Sequence, residues 1–210
     1  MKPLTCLTAV AAPLLLDNID TDTIIPSREI RSTGKTGLAA GLFAGWRYLA
    51  PGGREPAPAF VLNQPRYACA HILLAGDNFG CGSSREHAVW ALSEYGIRVV
   101  IAPSFAPIFF GNCVRNGMLP AILPAAAVHD LAQAIDADPQ ANPVTVDVRA
   151  QTVTLPAGRS WRFPLESEAK AMLVEGLDAI DLTLQMQQRI DAFLERDRLE
   201  RPWIYPGTER

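Results

Sequence analysis

The densest group of reactive and charged side chains lies at residues 80–87, which read Gly-Cys-Gly-Ser-Ser-Arg-Glu-His. The glycines allow the backbone to turn sharply between a predicted buried strand at residues 68–75 and a predicted helix at residues 83–95. The first N–H groups of a helix lack partners and carry partial positive charge. Arg85 adds a fork of donors that suits a carboxylate. The segment therefore predicts an anion-binding site at the start of a helix.

Helix capping is an alternative use of the same residues. Ser83 and Glu86 have the spacing of a capping box, in which the two side chains each bind a free backbone N–H group. In that interpretation Arg85 is a solvated residue of the first turn. The segment lacks the lysine of a Walker loop, the third glycine of a dinucleotide fingerprint and the second glycine of a nucleophile elbow. The residues alone leave anion binding and capping open.

The elements that must position this segment predict an α/β fold. The strand at residues 68–75, the helix at 83–95 and a strand at 97–102 form a unit whose two strands should be parallel, with a right-handed crossover. The other predicted elements are a strand or strand pair at 4–16, strands at 118–123, 144–148, 151–155 and 159–163, a helix at 38–49 that is broken by Gly41 and Gly45, and helices at 104–114, 125–137, 166–175 and 178–196. The last three strands are predicted to be antiparallel.

Composition fits one domain, or one domain with a helical appendage, because the chain has 210 residues and is 49% hydrophobic. The net charge of −3 and the lack of a basic run argue against nucleic-acid binding. No apolar run reaches the ~18 residues of a membrane span. An acidic segment at residues 17–22 follows the apolar start of the chain and argues against a signal peptide. The expected compartment is the cytoplasm.

Cysteine and histidine spacing predicts no metal site in this chain. The cysteines at positions 6, 69, 81 and 113 form no C-x-x-C pair, and the histidines at 71, 87 and 129 form no H-E-x-x-H motif. We expect reduced thiols, as is usual in the cytosol.

Four segments together resemble the mobile domain of the aconitase superfamily, and they occur in the expected order. They are Asp-Asn-Ile-Asp-Thr-Asp-Thr-Ile-Ile-Pro at residues 17–26, Gly-Leu-Phe-Ala-Gly-Trp-Arg-Tyr-Leu at 41–49, the glycine-rich segment extended to residue 88, and residues 101–120. The Ser-Ser-Arg-Glu-His run is the most specific of these. The resemblance covers most of the chain, and the length is similar to that of the stand-alone small subunits in the isopropylmalate dehydratase branch.

The resemblance implies a swivelling β/β/α domain with a mixed sheet and a C-terminal helical tail. The domain would span residues 1–165, and residues 166–210 would be a helical extension of it. It also implies a large-subunit partner that carries a [4Fe–4S] cluster, with no cofactor in this chain. No nucleic acid and no membrane are expected as partners.

Site roles follow from the resemblance position by position. Ser83 would be the serine whose alkoxide removes the substrate α-proton, and Ser84 and Arg85 would hold a substrate carboxylate. Asp22 would support the site. His87 could orient the loop or be a structural histidine of the first helical turn. An alkoxide requires nearby positive charge, which Arg85 and a helix start would provide.

Residues 27–36 correspond to the loop that sets substrate choice in relatives. Ile30 is the candidate to contact an isopropyl group. Arg28 and Arg31 could instead favour a more acidic substrate, or be solvated surface charges. Trp46 is assigned to core or interface packing.

The implied reaction interconverts 2- and 3-isopropylmalate through isopropylmaleate, in leucine biosynthesis. The substrate would be a small dicarboxylic hydroxy acid, and the chain would be active only with its large subunit. Small subunits of homoaconitase and of methylmalate or citraconate hydratases are alternatives. A non-catalytic anion-binding module is an alternative of a different class.

Overall fold

The computed structural model describes residues 1–30, 34–82 and 85–205, and these residues form one seven-stranded mixed sheet with helices. The strands are β1 (Cys6–Leu14), β2 (Ala70–Ala75), β3 (Val99–Ala102), β4 (Leu119–Ile122), β5 (Val144–Asp147), β6 (Thr152–Thr154) and β7 (Ser160–Arg162). Their order across the sheet is β4-β3-β2-β1-β5-β6-β7. The predicted α/β class with a mixed sheet is therefore confirmed.

Helices connect and flank these strands. The α-helices are α1 (Thr21–Ile24), α2 (Ala44–Arg47), α3 (Glu86–Tyr95), α4 (Pro107–Arg115), α5 (Ala125–Asp136), α6 (Ser167–Glu175), α7 (Ala179–Leu184) and α8 (Gln187–Glu200). Short 3-10 helices lie at Ser27–Glu29, Ala39–Gly41, Val61–Asn63, Pro65–Tyr67 and Pro202–Ile204. Within the described ranges, no helix is both long and apolar enough to cross a membrane.

The sheet has a parallel half and an antiparallel half that meet at β1. Strand β1 pairs in parallel with β2 and antiparallel with β5. Strands β2, β3 and β4 are parallel, with α3 and α4 as the crossovers, which confirms the predicted strand–helix–strand unit. Strands β5, β6 and β7 are antiparallel, as predicted.

Helix α3 begins later than the sequence predicted. Its N-cap is Arg85, which has extended backbone angles and makes no side-chain capping bond. Glu86 is thus the first helical residue and not the third, which does not fit the capping-box alternative. The C-terminal prediction is confirmed, because Gly96 ends the helix with a left-handed φ of 114°.

The break expected in the helix at 38–49 is present but lies elsewhere, and the helix at 178–196 is wrong in its continuity. Residues 38–49 form a 3-10 turn and the short α2, separated at Leu42 and Phe43, where Phe43 has a left-handed φ of 48°. The helix predicted at 178–196 is two helices, because the chain departs from α-helical geometry between Leu184 and Gln187.

Contacts divide the structure into two compact units, residues 1–176 and the tail from Leu177. The first unit contains the sheet, its crossover helices and α6, and its core is built on fully buried strand residues such as Ala12, Leu73 and Val100. The tail contains α7 and α8. Its Asp197 accepts hydrogen bonds from Arg201 Nε and the Tyr205 hydroxyl, each at 2.6 Å.

Candidate functional site

An ion pair joins two segments that are far apart in the chain. Arg85 Nη1 lies 2.6 Å from Asp22 Oδ1 and donates to Ser27 Oγ at 2.6 Å. Ser27 Oγ also donates to Asp22 Oδ1 at 3.3 Å. Arg85 stands immediately before α3, and Asp22 lies on α1, so the three side chains form one polar cluster at the turn between β2 and α3.

Backbone hydrogen bonds hold α1 against the glycine-rich turn. Gly80 N donates to Ile19 O at 2.7 Å, and Thr21 N donates to Cys81 O at 3.0 Å. Asp20 caps α1 by accepting from Thr23 N at 2.6 Å. Asp20 is therefore a capping residue, which leaves the Asp22 carboxylate on the same short helix to meet Arg85.

Gly80 is required by both its backbone and its surroundings. Its φ is 77°, and a Cβ built on it would lie 2.1 Å from Phe109 Cγ. Phe109 is buried and meets Phe79 edge-on with ring centroids 5.3 Å apart, so it cannot move aside cheaply. The turn can pass this closely over α4 only because residue 80 has no side chain.

A cavity of 480 Å³ opens beside the ion pair. Its volume lies in the range usual for small-molecule sites. It is lined by Asp20, Asp22, Thr23, Pro26, Ser27, Arg28, Gly45 and Trp46. Arg28 is exposed and lies 3.6 Å, Nε to Oε1, from the buried Glu29, whose other oxygen pairs with Arg54 Nη2 at 2.6 Å.

A smaller cavity of 160 Å³ lies on the other side of the turn. It is lined by Thr21, Gly80, Gly82, Arg85, Ala106, Pro107, Ile108, Phe109 and Asn112. Asn112 is buried, and its Oδ1 accepts from Arg115 Nη2 at 2.6 Å. Arg85 borders this cavity while its guanidinium reaches two residues that line the larger one.

The end of the loop at residues 27–36 is fixed to α3. The Glu94 carboxylate accepts from the backbone N–H groups of Gly37, Leu38 and Ala39 at 2.7, 2.5 and 2.8 Å. Desolvation would raise the pKa of Glu94, but these three bonds together outweigh it and lower that pKa below its ordinary value. Lys35 Nζ donates to Asn116 Oδ1 at 3.3 Å, which adds a second attachment.

The structure brings together some of the residues predicted for the site. Asp22 and Arg85 are paired, and Arg28 lines the larger cavity. Ile30 is half-buried and packs against the hydrophobic core. His87 packs edge-on against Trp90, with ring centroids 4.7 Å apart. Ser83, Ser84 and Arg31 lie outside the described residues.

Sequence reasoning missed Ser27, Gly45, Trp46 and Asn112 as residues of the two cavities. Ser27 follows directly after the segment at residues 17–26, and Gly45 and Trp46 belong to the segment at 41–49. Both segments contribute to the family resemblance, and this resemblance is the sequence feature that could have identified the three residues. Nothing in the spacing of Asn112 points to a cavity.

Metal-ligating side chains do not cluster in residues 1–30, 34–82 and 85–205, where no group of three or more His, Cys, Asp and Glu residues could hold an ion. Cys81 is half-buried in the glycine-rich turn, and Cys113 is buried inside α4. Burial raises the pKa of the Cys113 thiol well above its ordinary value.

Comparison with known proteins places these features in a family context. Residues 1–126 match the aconitase C-terminal domain family. A 3-isopropylmalate dehydratase small subunit from Cupriavidus necator is 60% identical over 205 residues, which cover 98% of this chain and 99% of that protein. One from Rhodospirillum centenum is 52% identical, with 97% and 98% covered. A crystal structure of 3-isopropylmalate dehydratase from Methanocaldococcus jannaschii aligns with a TM-score of 0.62 at 26% identity, over 89% of this chain and 98% of that chain.

Proposed function

Because the chain belongs to the aconitase C-terminal domain family and groups there with the small subunits of 3-isopropylmalate dehydratase, we propose that it supplies the base and carboxylate-binding groups of a two-chain hydro-lyase. Its substrate is a small dicarboxylic hydroxy acid. Together with a large subunit it interconverts 2- and 3-isopropylmalate through isopropylmaleate in leucine biosynthesis. We assign the complex to the cytoplasm, with no nucleic acid and no membrane as partners.

The cluster of Asp22, Ser27 and Arg85 beside the larger cavity is the observation that carries this proposal. Among the described residues, the side-chain hydrogen bonds of Arg85 all come from Nη1. We assign its Nη2 and Nε donors, which donate to no side chain in the described ranges, to a ligand. An arginine held on one edge by Asp22 and Ser27 can present its other edge to a carboxylate in two parallel hydrogen bonds. Asp22 thus positions Arg85 for the substrate.

Ser83 and Ser84 precede this arginine in the chain, and their roles are proposed from the family resemblance. The ionised Ser83 oxygen takes a proton from the substrate carbon next to a carboxylate, and the electron pair of that C–H bond forms the carbon–carbon double bond. The C–O bond on the neighbouring carbon breaks, and the departing hydroxide takes up a proton from solvent to become water. Addition of water to the resulting alkene in the opposite orientation gives the isomer. Ser84 helps Arg85 to hold the carboxylate, and the positive charge of Arg85 favours the ionised serine.

Departure of the hydroxyl requires a Lewis acid. In this proposal, a [4Fe–4S] cluster on the large subunit supplies that chemistry when bound. The residues of this chain bind and orient the carboxylates and move the proton, so the isolated chain should not turn over substrate.

The test is reconstitution with a large subunit of this family. We expect the two chains to co-purify and to hydrate isopropylmaleate, and the chain alone to be inactive. Ser83→Ala should lower kcat by about 100- to 10,000-fold, as expected for loss of a general base. Full activity of Ser83→Ala in the complex would refute the proposed base and would favour a non-catalytic anion-binding module. Equal or faster turnover of homoaconitate or methylmalate would reassign the substrate within the family.

A further inference from the structure

The lining of the larger cavity combines two chemically different kinds of residue. Asp22, Ser27 and Arg28 contribute polar groups, whereas Pro26 and Trp46 contribute apolar surface. A substrate with carboxylates at one end and an alkyl group at the other has the same division. If the carboxylate binds near Arg85, the alkyl group falls toward the apolar surface.

We propose that Trp46 and Gly45 on α2 form the wall that receives the branched alkyl group of the substrate and thereby select its size. This inference rests on the proposed function. It moves the apolar selector from Ile30, which packs against the core, to a helix that sequence reasoning had assigned to packing.

Trp46 is a large apolar side chain that the fold leaves 38% exposed at this cavity. Its ring stacks on buried Phe43, with centroids 6.0 Å apart and planes 4° from parallel, and leans on Phe60 with centroids 6.5 Å apart. These contacts fix the indole on its inner side. A rigid aromatic surface of this kind can bind an alkyl group without losing side-chain entropy of its own.

The backbone conformation at position 45 does not require glycine. Its φ is not in the left-handed region, and a Cβ built on it would meet nothing within 4 Å. Glycine inside a helix is less favourable than alanine, so the fold alone would favour a side chain here. A cavity-lining glycine with open space in front of it provides room for a ligand group.

One backbone hydrogen bond joins the two helices that carry Asp22 and Trp46. Phe43 N donates to Ile24 O at 2.7 Å, which ties the start of α2 to the end of α1. Phe43 adopts its left-handed φ of 48° here, and a bulky residue takes that conformation only when its surroundings enforce it. The backbones of α1, which carries Asp22, and α2, which carries Trp46, are therefore tied to each other.

The experiment compares two alkenes of different size in the reconstituted two-chain enzyme. Isopropylmaleate carries the isopropyl group, and citraconate carries a methyl group in its place. The measured quantity is the ratio of kcat/KM for isopropylmaleate to kcat/KM for citraconate. Because both values come from the same preparation, the fraction of folded and assembled enzyme cancels from this ratio.

Trp46→Ala should lower the ratio about tenfold or more, since it removes the surface that only the larger group fills. Trp46→Phe should lower it less. Gly45→Ala and then Gly45→Val should lower it in steps by filling the space, while the melting temperature of Gly45→Ala stays equal to or above that of the parent. Trp161→Ala on β7 is the matched control and should leave the ratio unchanged.

Ratios within twofold of the parent for both Trp46→Ala and Gly45→Val would overturn the inference while leaving the proposed function in place. Loss of co-purification by Trp46→Ala with an unchanged ratio would also overturn it, because Trp46 would then be an interface residue. An unmodified complex that hydrates neither alkene would refute the proposed function itself.

Discussion

Arg85 and Asp22 are separated by 63 positions in the chain, yet their side chains meet at 2.6 Å. The Asp22 side chain is 52% exposed and that of Arg85 is 30% exposed, so the pair is well solvated. An ion pair in that setting contributes little to stability, at most about 1 kcal/mol. Its value to the protein therefore lies in the position that it gives to the guanidinium.

Asp22→Asn should separate stability from activity. We expect the free energy of unfolding to change by less than about 1 kcal/mol, because the lost pair is exposed. We expect kcat/KM of the two-chain enzyme to fall about 10- to 100-fold, because Arg85 loses the partner that orients it. Asp130→Asn, which removes the exposed partner of Arg159, is the matched control and should leave activity unchanged. Equal activity of the two variants would contradict a positioning role for Asp22.

Gly80→Ala should destabilise the protein more than an alanine at another left-handed glycine. Gly52 has a similar φ of 76°, but a Cβ there would meet nothing within 4 Å. We expect Gly52→Ala to cost about 1 kcal/mol for its backbone conformation. Gly80→Ala should cost about 1–3 kcal/mol more, because its methyl group overlaps Phe109. Urea unfolding curves measure both, and equal midpoints would show that the turn can move away from α4.

Acid should release the chain segment that Glu94 holds. The folded pKa of Glu94 lies below its ordinary value of 4.5, so its contribution to stability is complete above that pH and is lost as the pH falls through the folded pKa. We expect hydrogen-exchange protection factors for Gly37, Leu38 and Ala39, corrected for intrinsic rates, to be constant from pH 7 to about pH 5. They should fall at more acidic pH.

Glu94→Gln should lower these protection factors at neutral pH and remove their dependence on acid. Glu195→Gln changes an exposed glutamate of α8 in the same way and should alter neither. Unchanged protection in Glu94→Gln would mean that other contacts, such as that of Lys35 with Asn116, suffice to hold the segment.

Exposed cysteine thiols of this chain should react faster than buried ones. Cys6 and Cys69 are exposed, whereas Cys113 is buried and its pKa is raised, which disfavours the reactive thiolate. We expect Cys6 and Cys69 to react with a maleimide reagent under native conditions and Cys113 to react only after unfolding. Mass spectrometry of labelled peptides distinguishes the sites. Rapid native labelling of Cys113 would indicate that α4 opens readily.

Local sequence patterns predicted the elements better than their ends and contacts. Apolar runs, alternation and turn residues located the seven strands of the described sheet, because β1 to β6 place apolar residues in the core and a turn at residues 157–158 precedes β7. The start of α3 was predicted too early, because local capping signals favoured Ser83. In the structure, the extended backbone of Arg85 belongs to a turn that is hydrogen-bonded to α1 and the residue before it. These hydrogen bonds join residues about 60 positions apart, and a prediction from neighbouring residues cannot include them.

Only part of the candidate site could be predicted, because its residues come from segments that are distant in the chain. Asp22 and Arg85 lie in segments with a family resemblance, and those segments meet in space. Trp46 was assigned to packing because aromatic residues usually pack, and only the structure shows that one of its sides faces a cavity. Ile30 was chosen for its apolar side chain, and it is half-buried against the core.

The pairing of β1 with β5 protects the strand that leads to the candidate site. Strand β1 begins the segment that leads to Asp22, and β5 pairs with it from Cys6 to Ala9. Without β5, β6 and β7, this part of β1 would be an open sheet edge and a template for aggregation. Among the described residues that line the two cavities, none belongs to β5, β6 or β7, so the contribution of the antiparallel half is to cover that edge.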